Sequence, residues 1–400
     1  MKRRNLNIFL LAMILANTTA GCGGADTPAS DTTVPPDSGD VTAVEAKPEI
    51  RDDLPADLDF GGETVRFLYR EELLNEFYSE EETGDVVDAA VYNSMLAVEE
   101  RLNVDIVVEA LAGHMNSERD NYINHVSNSV MAGDDMYDWV DMLAGRIPQC
   151  LPKGIFADIL ENKYVNIEKP WYLQGFSDMA IDGKLFFISG DASLGYMKNA
   201  FVIYFNTDLV DDYHLDNLYT LVDEGKWTLD KMGEIAAISS QDVNGDGAYD
   251  GNDKLGFLVH NYNHLVGFYG STGTKMYERE TDGSFSLTFG SERDADVCDK
   301  LFRVLYGSVG TFDCNLSDTT DSEVAPFMEL TNKFIAGDIL MMTAQMDEAI
   351  QYLRNMQSPY GILPFPKYDE AQAEYITLSR SQHNAFVMPL TCDVPDNVRY

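Results

Sequence analysis

Positive charge is scarce in this chain: 28 Lys and Arg stand against 67 Asp and Glu, a formal net charge of −39 at pH 7 over 400 residues. A surface that negative repels phosphate backbones and anionic headgroups, which argues against nucleic-acid binding and leaves a neutral ligand, a cation or a basic partner open. Catalytic signatures are missing too. There is no G-x-S-x-G elbow, no P-loop and no H-E-x-x-H zinc motif. Carboxylate pairs that could serve a glycosidase are present, but acidic pairs arise by chance at this composition, so no enzymatic activity is expected. Cysteine is sparse: beyond Cys22 only Cys150, Cys298, Cys314 and Cys392 remain, without metal-type pair spacing. A single disulfide, Cys298 with Cys314, and buried free thiols are both open. The apolar run at residues 8–15 is too short to span a bilayer as a permanent helix.

What is present begins with an export signal. Lys2, Arg3 and Arg4 precede that apolar run, and Thr19-Ala20-Gly21-Cys22 follows it. A plain secretory signal would carry the same n-region and core. The tetrapeptide resembles the lipobox of bacterial lipoproteins, with Thr19 where Leu is most frequent, which implies lipidation of Cys22 and a place on the extracellular face of the cell membrane. Residues 1–21 are then the signal peptide. Residues 22–58, built from Gly, Ser, Thr, Pro, Asp and Ala, form a disordered acidic tether that cannot bury enough surface to fold.

The folded part opens near Asp59, and 400 residues with 45% hydrophobic side chains suffice for two domains with separate cores. Residues 63–70, ETVRFLYR, predict a strand with Val65, Phe67 and Tyr69 on one face. From Asp85, a candidate cap, Val86, Ala90, Val91, Met95, Val98 and Leu102 recur at helical spacing, Asn103 stops the helix, and residues 104–108 predict the next strand. Strand, helix, strand is a βαβ unit, hence an α/β fold with a parallel sheet. Residues 182–208 predict two strands, at 185–188 and 200–205, around the polar break SGDASLGYMKN. Local pattern leaves this stretch open as a hairpin or as a crossing between two lobes.

Several segments together resemble the family 1 extracellular solute-binding proteins of ABC transporters, usually assigned to sugars. They are Glu76-Phe77-Tyr78 with Glu80-Glu81-Glu82-Thr83-Gly84-Asp85, Val98 through Val104, Ala132-Gly133-Asp134-Asp135-Met136-Tyr137-Asp138, residues 142–159, and Gly183-Lys184-Leu185 with Tyr204-Phe205-Asn206-Thr207-Asp208. Residues 142–159 align without a gap against the maltose-binding members. The resemblance implies a two-lobed periplasmic-binding-protein-like fold. Its N-terminal lobe would span residues 59–190, its C-terminal lobe 191–378, and residues 379–400 would return to the first lobe. It implies capture of a carbohydrate, most often an oligosaccharide, and delivery to the permease subunits of an ABC importer by hinge closure, with membrane contact only through the lipid anchor. Members of the family continue with further helices where this chain stops, which implies a truncated chain. The alternatives are a calcium-stabilised cell-surface glycan-binding or interaction protein, and a binding protein for a non-sugar solute such as a peptide.

Open α/β sheets bind ligands beyond the carboxyl ends of their strands, so the loops there hold the candidates. Arg70 and Glu71 leave the first strand, Glu81 belongs to a flap that also includes Thr83, and Arg146 follows the 139–143 strand. Arg146 can donate paired hydrogen bonds to sugar hydroxyls or to a carboxylate. It aligns with a ligand-contacting Arg of the maltose-binding members, whereas Met142 and Gly145 replace the neighbouring contacts. Asp191, Ser193 and Tyr196 lie in the crossing, where Tyr196 could stack on a pyranose face. Gln345 follows a strand expected at 339–342. Gly190 and Gly195 are expected to govern closure more than stability.

Residues 242–253 match the calcium loop at its oxygen-bearing positions, Asp242, Asn244, Asp246, Ala248, Asp250 and Asp253, with Gly247 at the turn. Asp253 stands where a bidentate Glu is usual. Structural Ca²⁺ is therefore expected, and an acidic turn without metal is the alternative. The tandem second loop of a dockerin is absent.

Overall fold

The computed structural model describes residues 51–82, 84–162, 164–173, 175–247, 249–260, 262–314 and 325–392. Cys22, Thr83 and Ala248 lie outside these residues.

The chain first builds a four-stranded sheet from β1 Glu63–Arg70, β2 Val104–Leu111 and β3 Trp139–Leu143, completed much later by Asn384–Val387; the edge-to-edge order is Asn384–Val387, β3, β1, β2. The first three are parallel, and the late strand runs antiparallel to β3. β1 is covered on both faces. Val65, Phe67 and Tyr69 join Met95, Val98 and Leu102 in one core, while Leu68 joins Tyr122, Ile123 and Val126 in another. These partners come from the helices Val86–Leu102 and Asn116–Ala132, which place apolar residues on one side at i, i+3, i+4 and i+7.

The first helix starts as expected, with the Asp85 side chain accepting from the Val87 N–H, and it stops at Asn103 in the left-handed region. Its buried stripe, however, begins at Val91. Val86 is 84% exposed and Ala90 faces solvent.

A second, five-stranded sheet is formed by β4 Phe201–Asn206, β5 Leu255–Val259, a short strand Thr311–Asp313, Ile339–Gln345 and Tyr360–Leu363. It is mixed. β4 is antiparallel to both Ile339–Gln345 and Tyr360–Leu363, and β5 is parallel to Ile339–Gln345 and Thr311–Asp313. Its apolar faces carry their own cores, one built on Trp227, Met232, Phe257 and Phe268 and another on Tyr204, Leu258 and Phe334. The helix Leu229–Ile238 is capped by the Thr228 side chain, as its sequence predicts. Trp139 and Trp171 are core residues. All four described cysteines are free, Cys298 exposed and Cys150, Cys314 and Cys392 buried, so the Cys298–Cys314 disulfide is not formed.

Two antiparallel segments join the sheets. Ala200 and Ser379 form a bridge, with the Phe201 N–H donating to the Leu378 carbonyl (2.9 Å) and the Arg380 N–H to the Asn199 carbonyl (2.9 Å). Residues 185–188 form no strand. They make a single bridge, Ile188 to Phe386, while the Leu185 carbonyl accepts from the Ile159 N–H (2.7 Å). The polar break contains a short helix, Leu194–Lys198, capped by the Ser193 side chain.

Candidate functional site: a cleft at the carboxyl ends of two sheets

Strand register decides where a ligand can sit. Asn384 pairs with Leu143, the last residue of β3, and Phe201 pairs with Gln345, the last residue of Ile339–Gln345. Both joining segments therefore enter their sheets at the carboxyl ends of the parallel strands. The two sets of strand ends share one region beside the crossing, where open α/β sheets take up ligands.

On the first-sheet side, the chain bends after β1 into a 3-10 turn Glu71–Glu76, and after β3 into a 3-10 turn Ala144–Gln149 that carries Arg146. Arg70, expected to reach a ligand, is instead 1% exposed: its Nε lies 2.7 Å from Asp141 Oδ2, and its Nη2 lies 3.1 Å from Asp141 Oδ1 and 3.0 Å from Asn384 Oδ1. Burial alone would favour the neutral form, but the Asp141 charge overrides it and holds the guanidinium above its ordinary pKa. Asn384 in turn donates to the Tyr69 hydroxyl, and the Tyr122 hydroxyl donates to the Asp141 carbonyl (2.8 Å). This network ties β1, β3 and the return strand together under the cleft. Arg70 thus holds the floor of the cleft and is not exposed to a ligand.

Glu71 and Glu81 are exposed. Arg146 is half-buried, with Nη1 3.3 Å from Gln149 Oε1. Its neighbour Gly145 donates to the Ser381 carbonyl (2.8 Å), bringing Arg146 beside the return crossing. Arg70, Arg119 and Arg146 line one small recess here.

In the crossing, Ser193 is buried, with its hydroxyl donating to the Asn384 carbonyl (3.1 Å) while accepting from the Tyr196 N–H. It holds the backbone and faces no ligand. Tyr196 is half-buried and edge-on to His383, with ring centroids 5.2 Å apart. Asp191 is exposed, its N–H on the Trp171 carbonyl (2.9 Å).

Gly190 does a different task from the expected hinge. A Cβ built there would lie 2.0 Å from the Trp171 carbonyl oxygen, and one at Gly195 would lie 2.8 Å from both Asn384 Oδ1 and Glu76 Oε2. The backbones pass too closely at Gly190 for any side chain. Gly190→Ala is therefore expected to lower stability by the ~1–3 kcal/mol typical of overpacking, read as a lower thermal melting temperature. A variant that melts like the parent but closes differently on its ligand would restore the hinge role.

On the second-sheet side, a cavity of about 220 Å³ is lined by Asn263, His264, Gln345, Asp347, Glu348 and Arg380, among others. Gln345 ends its strand, which runs three residues further than its apolar pattern suggests, and donates to Asn199 Oδ1 (3.2 Å). Lys198 Nζ spans the lobes, 2.6 Å from Glu76 Oε1 and 3.7 Å from Asp347 Oδ1. Burial, with lesser contributions from His260 and Arg380, pushes His264 down to about 3, so its imidazole is neutral in the cleft. Nothing local in the sequence marks Arg119, Arg380 or Lys198 as site residues. Asp347 and Glu348 follow a strand end, the same signal that marks Gln345.

At residues 242–253, Asp242 accepts from the N–H groups of Gly245 (2.6 Å) and Gly247 (2.9 Å), and Asp253 from those of Val243 (2.9 Å) and Asp250 (3.1 Å). The donors are the hard oxygens that suit Ca²⁺. Their carboxylates are turned onto the loop's own backbone, and among the described residues no three His, Cys, Asp or Glu gather as a metal site. No helix among the described residues is long and apolar enough to cross a membrane.

No protein-family model and no curated protein matches the chain. Solved structures do. UspC of M. tuberculosis superposes with a TM-score of 0.53 at 13% identity, covering 84% of this chain and 75% of its own. A sugar transporter of Rhizobium etli in an open conformation gives 0.52 at 15% identity, over 82% and 72%. The galacto-N-biose/lacto-N-biose I-binding protein of the ABC transporter of Bifidobacterium longum, in complex with lacto-N-biose, gives 0.50 at 13% identity, over 85% and 73%. The two sheets, the double crossing and the cleft between strand ends are thus the two-lobed α/β fold found in sugar-binding components of ABC transporters.

Proposed function

We propose that the protein captures a carbohydrate outside the cell and passes it to the permease of an ABC importer, acting as a binder and not as an enzyme. The observation that carries this reading is the strand register that directs both crossings and both sets of carboxyl strand ends into one cleft. The lobes, divided near residues 190 and 378, would close about the crossings on the ligand, and the closed form would dock on the permease. The cavity of about 220 Å³ falls below the ~300–1,000 Å³ usual for drug-sized ligands, which suits one sugar ring against the second sheet. Its amide, imidazole and guanidinium groups match sugar hydroxyls. Arg146, Glu71, Asp191, Tyr196, Gln345 and the Glu81 flap are the proposed further contacts. Lipidation at Cys22 would hold the protein on the extracellular face of the membrane.

Isothermal titration calorimetry of the whole chain against a panel of mono- and oligosaccharides is expected to give one-to-one binding. Heat with amino acids or peptides and none with sugars would overturn the substrate class, and hydrolysis of any glycan would overturn the binding role.

We further propose that residues 242–253 take Ca²⁺ as a structural staple, on the support of their oxygen-donor sequence. The exposed Asp246 and half-buried Asp250 would have to swing inward. Added Ca²⁺ is expected to raise the melting temperature and a chelator to lower it. An unchanged melt, with no calcium in elemental analysis, would sink the idea.

A further inference from the structure

Three arginines meet at the cleft without an acidic partner among the described residues. Arg119 comes from the first turn of helix Asn116–Ala132, Arg146 from the turn after β3, and Arg380 from the return crossing, and all three are half-buried. Arg119 donates to the His114 carbonyl (2.6 Å) and to Asn116 Oδ1 (2.7 Å), and Arg146 to Gln149 Oε1 (3.3 Å), all neutral acceptors. Elsewhere Arg66 pairs with Asp135 and Asp138, Arg70 with Asp141 and Arg101 with Asp52, while Arg293 lies over the Tyr368 ring, 3.7 Å from its centroid. Where acids outnumber bases by 67 to 28, unpaired guanidinium groups gathered at one cleft are costly unless something else supplies the negative charge. Burial, then Arg146, Arg70 and Arg380 in that order, depresses the pKa of Arg119, so Arg119 feels the other two cations of the cleft. The Gly145 to Ser381 hydrogen bond joins the recess of Arg119 and Arg146 to the cavity that Arg380 lines.

The acids nearby leave this charge uncompensated. Glu72 accepts from the N–H groups of Gly113 and His114. Asp347 faces Lys198 across 3.7 Å. Glu348, buried beside Asp347, has its carboxyl pushed up to about 7, so it is protonated in mildly acidic medium and can donate to a ligand.

We propose that the ligand is an acidic saccharide whose carboxylate or sulfate is held between Arg146 and Arg380, with Arg119 behind them. This rests on the carbohydrate reading and narrows it. A guanidinium fork matches either anion with two parallel hydrogen bonds, which fixes the sugar's orientation as well as its charge.

The test is calorimetric titration of the whole chain with trigalacturonate, a sulfated chondroitin disaccharide and maltotriose, at low and high salt. At least one acidic glycan is expected to bind about tenfold or more tighter than maltotriose at low salt, with the margin shrinking as salt rises. Which of the two binds tells carboxylate from sulfate. Arg146→Ala and Arg380→Gln are each expected to weaken binding of both ligands, but by about tenfold more for the acidic glycan than for maltotriose, with Arg146→Lys and Arg380→Lys recovering part of that difference. Should a variant fail to fold, the salt dependence of the unaltered protein still decides. Maltotriose binding as tightly as both acidic glycans, with no salt effect, would overturn this inference and leave the carbohydrate reading standing. Binding of no saccharide would bring down both.

Discussion

Asp141→Ala is expected to destabilise the protein by roughly 3–5 kcal/mol, the cost of leaving a buried charge without its partner. Asp141 is 0% exposed and Arg70 1%, and the pair is bidentate at 2.7 and 3.1 Å. Without the carboxylate, the Arg70 guanidinium keeps only Asn384 Oδ1 at 3.0 Å and the His114 ring at 3.5 Å, and cannot reach water without unpacking β1. Removing both charges is a different perturbation. Arg70→Met with Asp141→Leu replaces two buried ions by apolar groups of similar length, a change often neutral or even stabilising in other proteins. The double variant is therefore expected to recover most of the loss. Urea unfolding monitored by tryptophan fluorescence reads both, since Trp139 lies on β3 two residues from Asp141. A single variant unfolding at the parent's midpoint would show that the pair contributes nothing. A double variant as weak as the single one would point to the Arg70 to Asn384 hydrogen bond, which Arg70→Met removes, as the true tie.

That pair also marks where sequence reading runs out. β1, the helix Val86–Leu102 with its Asp85 cap and the Asn103 stop follow from periodicity and capping within a few neighbours, so they are legible in the chain itself. Arg70 has its partners 71 and 314 positions away, and nothing local distinguishes a cleft arginine from a buried one. Gly190 misleads for a related reason. A glycine between two lobes suggests freedom, but what this one provides is a close approach to the Trp171 backbone, which only the folded structure shows. Residues 185–188 have strand composition and make a single bridge, since pairing depends on how much free edge the sheet leaves for them. Arg146 and Gln345 could be picked because strand ends are recognisable. Arg119 and Arg380 could not, for their significance is the lack of a carboxylate beside them.

The second large effect concerns Glu348, which is 7% exposed with Oε2 buried and without a hydrogen-bond partner. Desolvation, with a smaller contribution from the Asp347 charge, raises its carboxyl from 4.5 to about 7. Because the folded-state pKa is the higher one, the native protein holds this proton when the unfolded chain has already released it. Stability from this group is therefore full below pH ~4.5, falls as pH rises, and is lost above pH ~7. The shift corresponds to about 3 kcal/mol at 1.36 kcal/mol per unit. Glu348→Gln keeps the shape, cannot ionise, and is expected to be more stable than the parent by up to that amount above pH ~7, with the two converging in acid. Denaturant midpoints across this range, compared between the two proteins, give the curve directly. A difference that does not change with pH would mean that Glu348 ionises as freely in the fold as in the unfolded chain. The same titration bears on the cleft, because Glu348 shares its cavity with Arg380 and His264. With His264 neutral throughout this range, Glu348 is the cavity group that changes charge near neutrality. Affinity for an acidic saccharide should then weaken from pH ~6 to pH ~8, as the carboxyl turns from a donor into a repelling charge, and Glu348→Gln should flatten that slope.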